Sequence, residues 1–344
     1  MSTRRSARLA ASTSVPQSST PASTPAPTPD PAPNPIRKRK AAPDPTEPPS
    51  TPRRVRKAPA LSTPTITTST TKPLPANVSR LANPNLTNAP LFSPETSHIV
   101  TAKPLLTTPS KSTTTTTTAT LLEEACAHLI EVDPRMKPLI EAHHCHIFSP
   151  GGLAEQVDPF EALASGIISQ QVSGAAAKAI KARFVALFSS ENSTRFPQPS
   201  QVAKTPLEKL RTAGLSQRKA EYLVGLAEKF ATGELSAHLL AEAPYDEIVE
   251  KLTAVRGLGR WSVEMFACFG LKRMDVFSLG DLGVQRGMAA FVGRDVAKLK
   301  SKGGKWKYMS EKEMEEISER FRPYRSLFMW YMWRVEATDV STME

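Results

Sequence analysis

Residues Leu252–Asp281 read LTAVRGLGRWSVEMFACFGLKRMDVFSLGD, and the fold is decided there. In Val255-Arg256-Gly257-Leu258-Gly259, two glycines bracket one apolar residue, which is the composition of a turn too tight for β-carbons. Asp246 is placed to cap a helix over Glu247–Thr253. A second helix is expected from about Gly259 through Trp261, Val263, Met265, Phe266 and Phe269, with Leu258 plugged into the core between the two. The amides near Gly257, Gly259 and Arg260 then open a helix and lack intrahelical partners. Such amides, at the positive end of a helix dipole, bind a phosphate without reading sequence.

About twenty residues past the turn comes Asp275-Val276-Phe277-Ser278-Leu279-Gly280-Asp281-Leu282-Gly283. Taken alone, Asp281 reads as an N-cap for a helix from Leu282 onward. Hairpin and aspartate together resemble the helix–hairpin–helix/Gly-Pro-Asp superfamily of DNA glycosylases, and most nearly its 3-methyladenine, or alkylbase, branch. The resemblance spans about Phe160 to Arg334. Leu279-Gly280-Asp281 stands where many members have Gly-Pro-Asp, so the proline is absent.

The resemblance implies roles residue by residue. Asp281 is the expected catalytic carboxylate. Trp261 and Tyr324 match pocket aromatics, although Trp261 by itself also reads as core beside the hairpin. Gln170-Gln171-Val172-Ser173, which could be only a polar turn between two helices, matches the loop whose side chain fills the hole left by a flipped base. Gln171 is the wedge position, where bacterial members place an aliphatic residue. Gly214-Leu215-Ser216-Gln217-Arg218-Lys219 matches a second backbone-gripping turn. Arg218 and Lys219 are expected on phosphates there, although the pair alone also reads as a solvated basic face. Gly257, Gly259 and Arg260 complete the DNA contacts. No organic cofactor is implied. A Na⁺ or K⁺ ion is expected on the backbone carbonyls of Thr253, Val255 and Gly257, bridging to a phosphate.

Extracting a base from the stack costs a few kcal/mol. Cleavage of the N-glycosidic bond then passes through an oxocarbenium-like sugar, which a carboxylate in a water-poor site stabilises while accepting a proton from the attacking water. An alkylated purine is a good leaving group and is cationic, so aromatic faces hold it by roughly 0.5–2 kcal/mol of cation–π attraction. Members that also nick the strand carry a lysine two residues past the second hairpin glycine, for Schiff-base chemistry. Here that place is Trp261, and Arg260 stays protonated and cannot substitute. The expected product is an abasic site in an intact strand, made by a monomer acting on double-stranded DNA that contains alkylated bases. Two other readings stand beside this one: a non-catalytic hairpin module for damaged or branched DNA, and a bifunctional glycosylase/lyase.

Charge divides the chain. Met1–Thr118 holds 15 Lys and Arg against 4 Asp and Glu, whereas Ala119–Glu344 holds 29 against 29, so the whole net charge of +11 lies in the first third. That third also has 22 of the 31 prolines and none of the 16 glycines, a composition that cannot bury enough apolar surface to fold. Residues 1–118 are therefore expected to form a disordered tail, with Thr113–Thr118 as low-complexity linker. Its clusters Arg37-Lys38-Arg39-Lys40 and Arg53-Arg54-Val55-Arg56-Lys57 suit a bipartite nuclear-import signal or a polyanion tether. Met1–Val15 is a weaker match to a mitochondrial transit segment. No apolar run is long enough to span a membrane. Cys126, Cys145 and Cys268 make no disulfide framework and are too few for a four-cysteine cluster. His143, His144 and His146 lack the paired spacing of a zinc site.

Residues 119–344 carry helical periodicity throughout. An all-α domain of about ten helices in two lobes around a central cleft is expected. Asp158-Pro159 and Ser216 are expected helix starts, and Thr205–Glu208 and Ser310–Glu313 are expected capping boxes. In a domain of zero net charge, Arg218, Lys219, Arg256, Arg260, Lys272, Arg273 and Arg286 are the candidates for a basic face.

Overall fold

In a computed structural model the chain is described over residues 79–93, 96–103, 116–189, 195–301 and 303–335. The two basic clusters and the Met1–Val15 segment lie outside the described residues. The fold is helical, as expected. In chain order the helices are α1 (Leu121–Val132), α2 (Met136–Ala142), α3 (Pro150–Ala154), α4 (Pro159–Ser169), α5 (Gly174–Ala186), α6 (Pro199–Ala203), α7 (Leu207–Arg211) and α8 (Gln217–Ala231), followed by α9 (Ala237–Glu242), α10 (Tyr245–Thr253), α11 (Arg260–Met265), α12 (Leu282–Phe291), α13 (Val296–Lys300), α14 (Glu311–Glu319) and α15 (Arg325–Met332). The excess over about ten comes from helices of five or six residues, α3, α6, α9 and α13. These are too short to show a 3.6-residue period.

Most expected starts are capped. Asp158 accepts from the Glu161 amide at 3.1 Å, Ser216 from the Lys219 amide at 3.3 Å, and Ser310 and Glu313 form a reciprocal box. Two differ. Asp246 lies inside the first turn of α10, which Pro244 precedes. The Thr205 hydroxyl turns back to the Gln201 carbonyl, so Pro206 occupies the cap position of α7 without a side-chain bond.

Two apolar cores form. Phe160 and Ile167 of α4, Phe184 of α5, Leu223 and Phe230 of α8 and Leu252 of α10 build the first, which Leu258 enters as expected. Leu129 of α1, Met288 of α12, Met314 of α14 and Phe328 of α15 build the second, where Phe321 and Phe328 stack at 3.9 Å. Between them runs α11, which widens into a π-turn at Phe266–Gly270. Val263 and Phe266 face the first core, and Met265, Ala267, Cys268 and Phe269 the second. This one helix, which begins at the hairpin, spans both cores.

The boundary at residue 118 needs correction. Residues 79–93 and 96–100 fold against the domain, and a two-stranded antiparallel sheet, β1 (Leu91–Ser93) with β2 (His98–Val100), pairs Leu91 with Val100. Ala89 and Leu91 are fully buried. The rest is held by polar ties to distant residues. The Asn88 amide donates to the Leu271 carbonyl at 3.0 Å, and the Thr87 hydroxyl to the Leu240 carbonyl at 2.8 Å. Arg273 reaches the Thr87 hydroxyl and the carbonyls of Asn85 and Ala243. Lys272 and Arg273 are thus buried behind this strap, at 5% and 2% exposure, and leave the expected basic face. Burial pushes the Arg273 guanidinium down to about 10.

Candidate active site

Asp275–Gly280 has no regular structure and is held one residue at a time. Asp275 pairs with Arg325 and Arg322 at 2.6 Å each. The Val276 amide donates to the Ser326 hydroxyl at 2.9 Å. The Ser278 hydroxyl donates to Glu264 at 2.6 Å, and Glu264 also accepts from Arg260 at 2.9 Å. Glu264 lies on α11, so this buried carboxylate ties the helix leaving the hairpin to the loop that delivers the aspartate.

Asp281 follows, half-buried, as the N-cap of α12. Its Oδ1 accepts from the Val284 amide at 2.8 Å and from the Trp333 indole N–H at 2.9 Å. Its Oδ2 accepts from the Trp261 indole N–H at 2.8 Å. A carboxylate has about four acceptor positions. Three are taken, and the one left, on Oδ2, is free to meet a water or a sugar. The N-cap reading holds, and the same residue presents its carboxylate beside an exposed aromatic ring. Trp261 is 49% exposed and Leu282 51% exposed. At Gly283 an added β-carbon would fall 2.8 Å from Trp333 Cδ1 and 3.1 Å from Asp281 Oδ1. The glycine makes room for the indole to reach the carboxylate.

The sequence does not single out Trp333, because it ends the apolar run Leu327–Trp333, where Trp330, Tyr331 and Trp333 look alike beside Phe328. The structure separates them. Trp330 and Tyr331 are buried, whereas Trp333 is half-buried, with Phe269 beside its ring at 5.6 Å. Tyr324 is corrected accordingly. It precedes α15 at the far end, about 13 Å along the axis from Trp333, with its ring edge-on to His128 at 5.3 Å. Trp333, not Tyr324, is the residue α15 brings to Asp281.

The hairpin takes the expected form. Gly257 has φ +94°, and a β-carbon there would also strike the Tyr222 ring. Gly259 caps α11. Arg260 bonds Glu264 through one nitrogen and leaves most of its side chain in solvent, 72% exposed. Arg256 is also exposed, 3.7 Å from Glu221. Of the carbonyls expected to hold an ion, that of Val255 accepts from the Leu258 amide at 3.1 Å and that of Gly257 from the Gln170 side-chain amide at 2.8 Å. Each keeps a second lone pair. Among the described residues no group of three His, Cys, Asp or Glu is placed to bind a metal.

Gln171 is exposed with a left-handed backbone, φ +57°, a conformation uncommon for a residue with a β-carbon. Arg218 is exposed. Lys219 differs from expectation. Its ammonium donates to the carbonyls of Ile168 and Gln170, each at 2.7 Å. It is engaged with protein backbone where a phosphate was expected.

A family model described as HhH-GPD superfamily base excision DNA repair protein matches residues 164–303. The DNA-3-methyladenine glycosylase of Saccharomyces cerevisiae is 36% identical over 245 residues, which cover 64% of this chain and 81% of that relative. The chain belongs to the DNA-3-methyladenine glycosylase branch of the HhH-GPD superfamily. DNA-3-methyladenine glycosylase 1 of Schizosaccharomyces pombe is 32% identical, over 62% of this chain and 88% of its own length. A solved Schizosaccharomyces pombe 3-methyladenine DNA glycosylase in complex with abasic DNA superposes with a TM-score of 0.49 at 27% identity, covering 63% of this chain and 98% of that one. The HhH-GPD span contains Gln171, the hairpin and Asp281, whereas Trp333 lies beyond its end.

Proposed function

We propose that the chain is a monofunctional DNA-3-methyladenine-type glycosylase of base excision repair. It turns an alkylated purine out of duplex DNA, hydrolyses the N-glycosidic bond and leaves an abasic site. The observation that carries this reading is the Asp281 carboxylate, fixed by two indole N–H groups and a helix amide, with one acceptor position on Oδ2 left open at the exposed face of Trp261.

In this reading the hairpin amides at Gly257, Gly259 and Arg260 grip a phosphate of the damaged strand, Arg218 grips another, and Gln171 enters the stack where the base was. Trp261 stacks on the extruded cationic base. Asp281 sits beneath the sugar, where its charge stabilises the developing oxocarbenium ion, and its open lone pair orients the attacking water. The base departs without a general acid because alkylation has already made it a leaving group. The strand stays intact because the residue two past Gly259 is Trp261, which cannot form a Schiff base. If a Na⁺ or K⁺ ion binds, the carbonyls of Thr253, Val255 and Gly257 would hold it, and it would supply positive charge toward a phosphate.

Asp281→Asn tests the assignment cleanly. Asparagine is as good an N-cap as aspartate, so the fold is kept while the charge is removed. Release of 3-methyladenine or 7-methylguanine should fall about a hundredfold or more, with DNA binding equal or tighter, since a charge facing phosphates is gone. Base release at the unsubstituted rate would remove Asp281 from the mechanism.

A further inference from the structure

Three segments far apart in sequence close a triangle beside the hairpin. The first is the loop after α4, residues 170–173. The second is the first turn of α8. The third is the hairpin itself. Lys219 of α8 places its ammonium on the Ile168 and Gln170 carbonyls, 2.7 Å from each. These carbonyls lie at the C-terminal end of α4, where backbone acceptors lack intrahelical partners and the dipole favours a cation. Gln170 sends its side-chain amide the other way, to the Gly257 carbonyl at 2.8 Å. The third side is Tyr222, one turn past Lys219, whose ring fills the space a β-carbon would occupy at Gly257. Gln171 and Val172 project from this frame with their side chains exposed, and Ser173 ends the loop by capping α5. Burial lowers the Lys219 pKa, as expected of an ammonium partly withdrawn from water.

We propose that Lys219 and Gln170 are positioning residues that lock the Gln171 loop to the hairpin, so that gripping the strand and wedging the duplex are done by one rigid body. The proposal rests on the glycosylase reading and on Gln171 as the wedge. Neither residue need touch the base or the sugar. Their work is done before insertion: a wedge must push against stacked and paired bases, and a loop free to recoil transmits less of the binding energy to that step. The lock should therefore matter in proportion to how firmly the damaged base is held in the helix. A phosphate contact would behave otherwise, weakening binding to every substrate alike and reducing its salt dependence.

The experiment compares Lys219→Met and Gln170→Leu with the unsubstituted protein on two duplexes. One carries 7-methylguanine opposite cytosine, the other 7-methylguanine opposite an abasic site, where no partner base resists extrusion. Single-turnover base release from the paired duplex should fall about tenfold to a hundredfold in both variants, and from the unpaired one by no more than about twofold. The slope of log binding constant against log salt should be unchanged, whereas Arg218→Ala should reduce it by about 0.9. Equal loss on both duplexes, or a drop of about 0.9 in the slope for Lys219→Met, would overturn the proposal. Gln170→Leu leaves the Lys219 ammonium in place and carries the test if the other variant fails to fold. Hydrogen exchange of residues 169–174 supplies a readout independent of catalysis: it should quicken in both variants, and unchanged exchange would overturn the lock. Should the unsubstituted protein release no base from either duplex, the glycosylase reading falls, and the exchange measurement still decides the lock.

Discussion

The hairpin turn at Gly257 and the corner at Asp281 are built in opposite ways. At the hairpin the working groups are backbone. Gly257 takes a left-handed conformation, its carbonyl accepts from Gln170, and side chains brought from elsewhere press the turn into shape. At the corner the working group is a side chain. The Asp281 carboxylate is oriented by a helix amide and by two indoles, 20 residues before it and 52 after it. A backbone device needs only small residues at the right spacing, and holds any phosphate. A side-chain device needs particular donors to converge from distant segments, and holds one geometry. In the proposed function, strand gripping, common to undamaged and damaged DNA, falls to the first device and the bond-breaking step to the second.

If that division is right, damage to one device should leave the other's measurement alone. The larger effect is expected at the hairpin. Gly257→Ala places a β-carbon on the Tyr222 ring and forces a left-handed backbone on a residue that resists it, a combination worth roughly 2–4 kcal/mol. Thermal unfolding and binding to undamaged duplex should both suffer, while the rate of base release at saturating DNA should change much less. A variant that bound DNA normally but released bases slowly would reverse the assignment of the two regions.

At the corner, Trp333→Phe keeps a ring against Phe269 and removes one donor to Asp281. Loss of a hydrogen bond to a charged group costs about 2 kcal/mol, or about thirtyfold in rate. Single-turnover base release should fall by about that factor with DNA affinity unchanged. Trp261→Phe serves as the comparison, because it removes the other indole donor while keeping a ring at the exposed face. If Trp333→Phe released bases at full speed, the second indole would be packing and nothing more.

The same contrast explains what could be read from the sequence. The hairpin and the Asp281 cap are legible in local spacing: Gly257-Leu258-Gly259 for the turn, and a glycine before an aspartate that opens a helix, whereas a catalytic part for Asp281 is implied only by the family resemblance. Trp333 is not legible, because its role depends on where the end of α15 meets Gly283, a contact that no pattern within Leu327–Trp333 records. The Lys219 ammonium was misplaced for a related reason. A basic residue after a glycine turn suggests phosphate, and only the fold reveals that α4 ends within its reach. The strap at residues 79–93 and 96–100 reads as tail in the sequence because its order comes from Asn88, Thr87 and Arg273 bonding to distant backbone, which leaves no periodicity to detect. At the corner, where the proline is absent, Gly280 leads into the cap and the carboxylate is oriented by its three donors.

The smallest expected effect separates the two regions by pH. Asp158 caps α4, the helix that ends at the Gln171 loop, and burial together with the neighbouring Glu161 pushes its carboxyl up to about 7, against the pull of backbone amides and Lys181. In the unfolded chain the same group ionises near its ordinary 3.8. Below that value both states are protonated and the cap carries no penalty. As pH rises from about 4 to 7 the unfolded chain sheds the proton while the folded chain resists, so stability is lost across that window and levels off above it. Three pH units set an upper bound of about 4 kcal/mol. Part of the Asp158 surface still reaches water, which argues for a loss nearer about 1 kcal/mol. Asparagine caps equally well and does not titrate, so Asp158→Asn should match the unsubstituted protein near pH 4 and exceed it by about that amount at pH 8. Denaturant unfolding at the two pH values measures the difference. Because the group lies on the hairpin side, the gain should appear with base release per bound duplex unchanged. A variant no more stable at pH 8 than at pH 4, relative to its parent, would mean that Asp158 ionises in the folded protein as freely as in the unfolded one.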